Sequence, residues 1–144
     1  LCNACYVSLH RSEGLGLTMA EAMLLGKPVV ATGYSGNLDF MSDSNSRLVS
    51  HRLIPIGKDI PPYKRDYLWA DPSLPEAAHW MRWMYKHRDE AQALGAQARL
   101  DVQQTLSLEV AGERMADRLR EIELMRTGSE RRPAPQRQPV ARAA

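Results

Sequence analysis

Long apolar segments are absent from this sequence. No run of about 18 apolar residues occurs, so we predict no transmembrane helix. No basic stretch followed by an apolar segment opens the chain, so we predict no signal peptide. Hydrophobic residues make up 44% of the 144 residues and charged residues 25%, which is typical of a soluble globular protein of one domain. These features predict a cytoplasmic protein.

Cysteine is scarce as well, since the chain contains only Cys2 and Cys5. A redox C-x-x-C motif should open a helix, where the helix N-terminus lowers the thiol pKa, but residues 6–9 are typical of a strand. A zinc site would need a second pair of Cys or His ligands, and none follows at a suitable spacing. We therefore predict buried thiols at a strand edge, in a protein from a reducing compartment.

Basic charge is concentrated at the C-terminal end. The chain has a net charge of +2, but residues 126–144 contain five arginines and one acid, a net +4, which leaves −2 for residues 1–125. A mildly acidic body argues against nucleic-acid binding. The Arg- and Pro-rich stretch has almost nothing to bury, so we predict a disordered tail over 126–144 after a domain of residues 1–125.

The first third of the chain predicts a βαβ unit. Residues 5–10 alternate as a short strand, and residues 28–32 form an apolar run typical of a buried parallel strand. Between them, Thr18 and Glu21 have the spacing of a capping box, which predicts a helix from about Thr18, and Gly26 is placed to end that helix. With a third strand over 47–50, the pattern predicts an α/β fold with a parallel sheet and flanking helices.

Two further segments connect these strands to the rest of the chain. Residues 38–41 predict a short helix capped by Ser35 or Asn37. Residues 52–72 predict a long loop, either functional or packed on the surface, because the segment contains Pro55, Pro61, Pro62 and Pro72.

The last part of the chain is helical by its pattern. We predict helices over 75–88, 89–104 and 108–125, the first capped by Ser73 with Glu76. Gly95 is expected to interrupt the second helix, and Ser107 to cap the third. An aromatic and basic stretch in the first helix either packs against other helices or contacts a membrane surface; it contains Trp80, Met81, Trp83, Met84 and Tyr85 beside His79, Arg82, Lys86, His87 and Arg88.

The loop between the first strand and its helix carries the candidate chemistry. In an open parallel sheet, ligands bind at the carboxyl ends of the strands, where this loop must lie. Gly14 and Gly16 let the backbone approach an anion, and the helix N-terminus favours a phosphate group. Glu13 in the loop and Glu21 in the helix are two carboxylates, each able to accept two hydroxyl hydrogen bonds. In a nucleotide sugar, one carboxylate would suit the ribose and the other the sugar attached to the phosphates.

A family resemblance extends this interpretation. Residues 10–17 (HRSEGLGL), 20–23 (AEAM) and 26–32 (GKPVVAT) resemble the E-x7-E region of retaining glycosyltransferases of the two-Rossmann-domain (GT-B) type. Residues 34–41 (YSGNLDFM) continue the resemblance, and residues 95–111 resemble the terminal helices of the family. The resemblance covers about residues 5–123. It points to the bacterial subgroup that assembles polysaccharides, often mannosyl- or glucosyltransferases.

The resemblance implies a Rossmann-like C-terminal domain that binds a nucleoside-diphosphate sugar. Glu13 would be the catalytic-site residue that contacts and orients the donor sugar, and Glu21 would hold the ribose. Backbone amides of Gly14, Leu15, Gly16 and Leu17 would bind the sugar and diphosphate; the family usually has Phe where Leu15 stands. His10 is either a donor contact or a histidine satisfied at the strand end. No metal is expected, because the chain lacks Asp-x-Asp and backbone amides take the cation's place.

The family also places functional groups outside this sequence. Its basic pair, which neutralises the leaving diphosphate, and its domain for the saccharide or glycolipid acceptor precede the segment that matches here. Because the chain begins at Leu1 in an apolar run, we expect it to be a C-terminal fragment. Such a fragment should have no transferase turnover by itself. We expect the protein in the cytoplasm, either free or peripheral to the inner membrane. The alternatives are a non-catalytic nucleotide-binding remnant and a related sugar-nucleotide epimerase. A phosphorylase would need a pyridoxal-phosphate lysine, and no motif supplies one.

Overall fold

The computed structural model describes residues 5–130 of the chain. In order, the elements are β1 (Tyr6–Ser8), α1 (Leu17–Leu24), β2 (Val29–Thr32), a 3-10 helix (Gly36–Asp39), β3 (Arg47–Val49), β4 (His51–Pro55), β5 (Leu68–Pro72), α2 (Leu74–Lys86), α3 (Arg88–Leu106) and α4 (Leu108–Glu130). The predicted α/β class is confirmed. The described residues divide into two compact units, one ending at Ser107 and the other beginning at Leu108.

Three short strands form the parallel sheet of the first unit. The order is β1-β2-β3, with Val7 opposite Val30 and Ala31 opposite Leu48. All four residues of β2 are buried, because the strand lies in the middle and both of its faces are covered. This confirms the βαβ unit and the third strand.

Side chains from β2 point into two apolar clusters. Val29 and Ala31 belong to a cluster with Met19, Met23 and Phe40. Val30 belongs to the other, with Val49, Ala77, Met84, Ala91 and Leu94. Alternate residues of a strand point to opposite faces of the sheet, so the unit has helices packed on both faces. α3 contributes to both clusters, through Ala98 and Val102 in the first and Ala91 and Leu94 in the second.

The turn after α1 bears on two predictions, the glycine cap at Gly26 and the interruption of α3 at Gly95. Gly26 has a left-handed φ of 69°, and the amides of Gly26 and Lys27 donate to the carbonyls of Met23 and Ala22, which confirms the glycine cap. The predicted interruption at Gly95 is wrong, since α3 is continuous. A Cβ on Gly95 would lie 2.3 Å from the carbonyl oxygen of Gly26. The glycine therefore allows α3 to pass directly over this turn.

The proline-rich segment is only partly a loop. The prediction of a loop over 52–72 is wrong at both ends, because β4 and β5 pair antiparallel with Leu53 opposite Ala70. Pro55 and Pro72 stand at strand ends, and the cis-linked Pro61 and Pro62 lie in the connection. The prolines thus leave the amides between them free to pair.

The short helix after β2 differs slightly from its prediction. It is a 3-10 helix over Gly36–Asp39 rather than a helix over 38–41. Ser35, one of the two predicted capping residues, immediately precedes the 3-10 helix, but its side chain makes no capping hydrogen bond.

α2 begins with the predicted Ser73 side-chain cap and buries part of its aromatic stripe. The second half of the predicted capping box is not formed, because the Glu76 carboxylate accepts hydrogen bonds from Ser50 and the Ser73 amide donates to the Ser50 carbonyl. The Ser73 hydroxyl accepts a hydrogen bond from the Glu76 amide at 3.4 Å. Met84 is buried, and Trp80 and Trp83 pack against the second cluster. The Arg47 guanidinium lies 5.2 Å and 4.9 Å from these two indole rings. Three of the five stripe residues therefore pack inside the first unit, against the sheet as well as against α3, whereas Met81 and Tyr85 are exposed.

The remaining sequence predictions concern the two ends of the chain. The Cys5 thiol is free and half-buried, and burial raises its pKa, as expected of a structural thiol rather than a redox centre. Cys2 lies outside the described residues. α4 continues to Glu130, past the predicted boundary at 125, and residues 131–144 of the predicted tail lie outside the described residues. Between residues 5 and 130, no helix combines the length and apolarity that a membrane crossing requires.

Candidate functional site

Two loops lie at the carboxyl edge of the parallel sheet. The first, residues 9–16, connects β1 to α1 and contains the predicted site; we call it the glutamate loop. The second, residues 33–35, follows β2. Because β1 and β2 are neighbouring parallel strands, their carboxyl ends meet at the same edge, where ligands bind in open α/β sheets.

The two loops are joined at the backbone of Glu13. Its carbonyl oxygen accepts hydrogen bonds from the Ser35 hydroxyl at 2.6 Å and from the Gly36 amide at 3.2 Å. A Cβ on Gly36 would lie 2.0 Å from the Gly14 carbonyl oxygen, so only glycine permits this approach. Ser35 itself has a φ of 79°, a region that non-glycine residues rarely adopt. The second loop therefore holds the first in place.

The start of α1 differs from the predicted capping box. The residue before the helix is Gly16, in the left-handed region with φ of 93°, and no side chain caps the helix. Thr18 lies inside the first turn, and its hydroxyl accepts a hydrogen bond from the Tyr6 hydroxyl at 2.9 Å. The capping-box prediction for Thr18 and Glu21 is therefore wrong. Glycine begins the helix two residues earlier because it adopts the left-handed conformation without steric penalty.

The first turn of α1 leaves backbone donors without partners. The amides of Leu15, Gly16, Leu17 and Thr18 donate no hydrogen bond to any other residue in the described part of the chain. No acidic side chain lies in this turn. Unpaired amides together with the helix dipole favour an anion at this position.

Gly14 has no structural reason to be glycine. Its φ is outside the left-handed region, and a Cβ built on it would meet no atom within 4 Å. Gly16, Gly36 and Gly95 each stand where a side chain would be strained or would collide. The space above Gly14 is open, so its backbone is accessible to a ligand.

The two glutamates have few structural partners. The Glu13 carboxylate accepts a hydrogen bond from the adjacent Gly14 amide at 2.9 Å and is half-buried. Glu21 is exposed in α1, and its carboxylate makes no hydrogen bond or ion pair with the rest of residues 5–130. With the capping role removed, Glu21 has no structural task that the described contacts reveal.

His10 is tied to the chain through both ring nitrogens. Nε2 lies 3.0 Å from the Tyr34 carbonyl oxygen and Nδ1 lies 3.1 Å from the Ser8 hydroxyl. Because a carbonyl only accepts, Nε2 carries a proton in this arrangement. This favours the satisfied strand-end histidine over a donor contact. Leu15 and Leu17 expose their side chains.

Arg11, the cation nearest to Glu13 in sequence, is engaged elsewhere. Its guanidinium lies 3.0 Å from the Asp71 carboxylate and 4.9 Å from the centre of the Trp69 ring. Its carbonyl accepts a hydrogen bond from the Ala70 amide at 2.8 Å. Sequence reasoning missed these β5 residues, since about 60 positions separate them from the loop. It also missed Ser35 and Gly36 as loop contacts, although a second glycine-containing segment after β2 was a usable signal.

Two open clefts lie beside β3, β4 and α2. Ser50 and His51 line both clefts, whose volumes are about 510 Å³ and about 610 Å³. Neither contains Glu13, Gly14 or Glu21. Among residues 5–130, no cluster of His, Cys, Asp and Glu side chains could hold a metal ion. We base the candidate site on the glutamate loop, because it combines free backbone donors with carboxylates.

Comparison of the chain with protein-family models and with curated proteins yields no match. The resemblance to GT-B glycosyltransferases therefore stays a prediction that rests on the residues of the glutamate loop and of the segments that follow it.

Proposed function

We propose that this chain binds the diphosphate and sugar of a nucleoside-diphosphate hexose, as the donor-binding part of a retaining GT-B-type glycosyltransferase. In the proposed reaction the hexose passes to a saccharide or glycolipid acceptor in polysaccharide biosynthesis. The observation that carries the proposal is the start of α1. It leaves four backbone amides unpaired at the carboxyl edge of a parallel sheet, beside the open backbone of Gly14.

The diphosphate would lie against the first turn of α1. Phosphate oxygens accept hydrogen bonds from unpaired amides, and the positive end of the helix dipole favours their charge. No carboxylate in that turn competes with the phosphate. A side chain at position 14 would keep a ligand away from the backbone, whereas glycine lets it approach.

The two carboxylates would bind the hydroxyl-bearing ends of the donor. Glu21 is exposed on α1 and has no described side-chain partner, so it is free to accept two ribose hydroxyl hydrogen bonds. Glu13 stands at the beginning of the loop, and its backbone is held by Ser35 and Gly36. In the proposal it orients the hexose and does not attack it.

Transfer requires charge to stabilise the departing diphosphate. Arg11 does not supply it, because Asp71 already neutralises its guanidinium. We therefore expect donor binding by this chain without sugar transfer. The same pairing favours the second candidate, a nucleotide-binding protein without catalysis. Sugar transfer to an acceptor by any form of the protein that contains these residues would exclude that candidate.

Calorimetry on the full 144-residue chain tests the proposal. The probes are uridine, guanosine and adenosine diphosphates and their glucose and mannose esters. We expect a dissociation constant on the order of 1 mM to 0.1 mM for the preferred compound, which corresponds to about 4 to 5.5 kcal/mol. Glu21→Gln should weaken both free and sugar-linked nucleotide, whereas Glu13→Gln should weaken only the sugar-linked form. Gly14→Ala should weaken both.

The matched control is Gly112→Ala, because Gly112 also has open space around it but lies in α4, outside the site. This variant should bind as the parent does. Equal binding by the parent, Glu13→Gln, Glu21→Gln and Gly14→Ala would contradict the proposal, as would the lack of any binding at 10-fold higher probe concentration.

A further inference from the structure

The β4–β5 hairpin contacts the glutamate loop at Arg11. The Arg11 carbonyl accepts the Ala70 amide hydrogen bond at 2.8 Å, its guanidinium pairs with Asp71 at 3.0 Å, and its guanidinium lies over Trp69 at 4.9 Å. Three consecutive residues of one strand thus bind one residue of the loop. Arg11 lies two positions before Glu13.

Asp71→Asn removes the ion pair with Arg11 but leaves the backbone hydrogen bond from Ala70 and the contact with the Trp69 ring in place. The Asp71 side chain is 27% exposed and that of Arg11 is 42% exposed, so solvent screens this pair only in part. Asp71 also pairs with Arg52 at 3.0 Å, but the Arg52 side chain is 82% exposed. The partly buried Arg11 pair is therefore the stronger of the two.

We propose that Asp71 is a positioning residue for the glutamate loop. It holds Arg11, and through Arg11 it fixes the backbone on which Glu13 and Gly14 stand. The loop is then held from both sides, by the hairpin at Arg11 and by Ser35 and Gly36 at Glu13. The consequence for ligand binding rests on the proposed function; the positional claim does not.

Asp71 has a second effect, and the direction of the change in ligand binding distinguishes it from positioning. It cancels the charge of Arg11, which would otherwise attract a phosphate. If Asp71 positions the loop, then Asp71→Asn weakens binding of a nucleoside diphosphate. If it only withholds Arg11 from the ligand, the same substitution frees a cation and strengthens binding.

Amide hydrogen exchange on the full chain without ligand tests the positional claim. The Gly36 amide reports on the loop, because it donates to the Glu13 carbonyl but belongs to neither the hairpin nor the glutamate loop. We expect Asp71→Asn to speed exchange at Gly36 and Ala70 by about fivefold, a loss typical of one partly buried ion pair. Asp71→Glu should restore part of the protection.

The matched control is Asp59→Asn. Asp59 pairs with Arg65 at 3.4 Å in the connection between β4 and β5, where both side chains are about 60% exposed. This variant should leave exchange at Gly36 unchanged. If Asp71→Asn speeds exchange within β4 and β5 but not at Gly36, Asp71 is only a structural residue of the hairpin and the proposal is overturned. Should Asp71→Asn not fold, Arg11→Gln removes the same contact and is judged by the same amides.

Calorimetry with the nucleoside diphosphates provides the second readout. Asp71→Asn should raise the dissociation constant about fivefold. Arg11→Gln with Asp71→Asn should be no weaker than Arg11→Gln alone, because the single variant has already lost the ion pair with Asp71. Tighter binding by Asp71→Asn would overturn the proposal. If the parent chain binds none of the diphosphates, the proposed function fails, while the Gly36 exchange still decides the role of Asp71.

Discussion

The helices α1 and α2 begin in opposite ways. α2 begins with the Ser73 hydroxyl on the Glu76 amide, Pro75 in the first turn, and an acidic residue beside its N-terminus. α1 begins at a left-handed Gly16, with no side-chain cap and no acid in its first turn. The start of α2 therefore supplies its own hydrogen-bond acceptor and negative charge. The start of α1 has neither, although four amides there lack partners among the described residues.

This difference separates a structural helix start from a candidate binding site. An uncapped start lowers helix stability by roughly 1 kcal/mol compared with a capped one, so it is a disadvantage for folding alone. The start of α1 lies at the carboxyl edge of the sheet, where ligands bind in such folds. A ligand that accepts hydrogen bonds from its amides would offset the lost stability. The contrast supports the proposed diphosphate position without any appeal to the motif.

Replacing the glycine at the start of α1 should change stability more than any other substitution considered. Gly16→Ala places a Cβ on a backbone with φ of 93°, at 2.6 Å from the Met19 side chain. We expect the free energy of unfolding to fall by about 2 kcal/mol, because the left-handed conformation disfavours alanine. Urea denaturation measures it. Gly112→Ala, in open space inside α4, should instead be neutral or slightly stabilising; equal losses in the two variants would contradict the assignment of Gly16.

Removing the hydroxyl group at each helix start should change the free energy of unfolding less, and by different amounts at the two positions. Ser73→Ala removes a side-chain cap and should lower the free energy of unfolding by about 1 kcal/mol. Thr18→Ala removes only an exposed hydrogen bond with Tyr6, so its loss should be below about 0.5 kcal/mol. The sequence pattern predicted a cap at both positions. A loss at Thr18 as large as that at Ser73 would restore the capping box that the structure rejects.

The smallest effect concerns the acid at the start of α2. The Ser50 hydroxyl, with help from the Ser50 amide, holds the pKa of Glu76 below its ordinary value near 4.5, against the opposing effect of burial. A lowered pKa in the folded state contributes stability above the unfolded pKa, and this contribution is lost as the pH falls through the folded pKa. Stability of the parent should therefore decline below about pH 4.5 more steeply than that of Glu76→Gln.

Denaturation curves from pH 7 down to about pH 3 compare the two chains. The other carboxylates are common to both, so the difference between the curves isolates Glu76. Parallel curves over this range would show that the contact with Ser50 does not persist in solution.

Local patterns predicted the elements whose causes are local. The apolar run at 28–32 became the buried β2, Gly26 ended α1, and Ser73 started α2. Each depends on residues within a few positions of one another. Two of the predictions that failed depend on distant contacts: β4 pairs with β5 across a proline-containing connection, and Gly95 stays helical because it packs on the Gly26 carbonyl. The failed capping box at Thr18 has a local cause, the left-handed Gly16.

The candidate site divides in the same way. Adjacent residues were enough to predict that glycines, two glutamates and a helix start follow a strand, because strand, turn and helix propensities act over short stretches of chain. Three contacts arise only in the folded chain: Gly36 lies against Gly14, Asp71 pairs with Arg11, and the Thr18 hydroxyl binds that of Tyr6. These contacts join residues far apart in the chain, and no spacing encodes them, because packing and not sequence proximity brings them together.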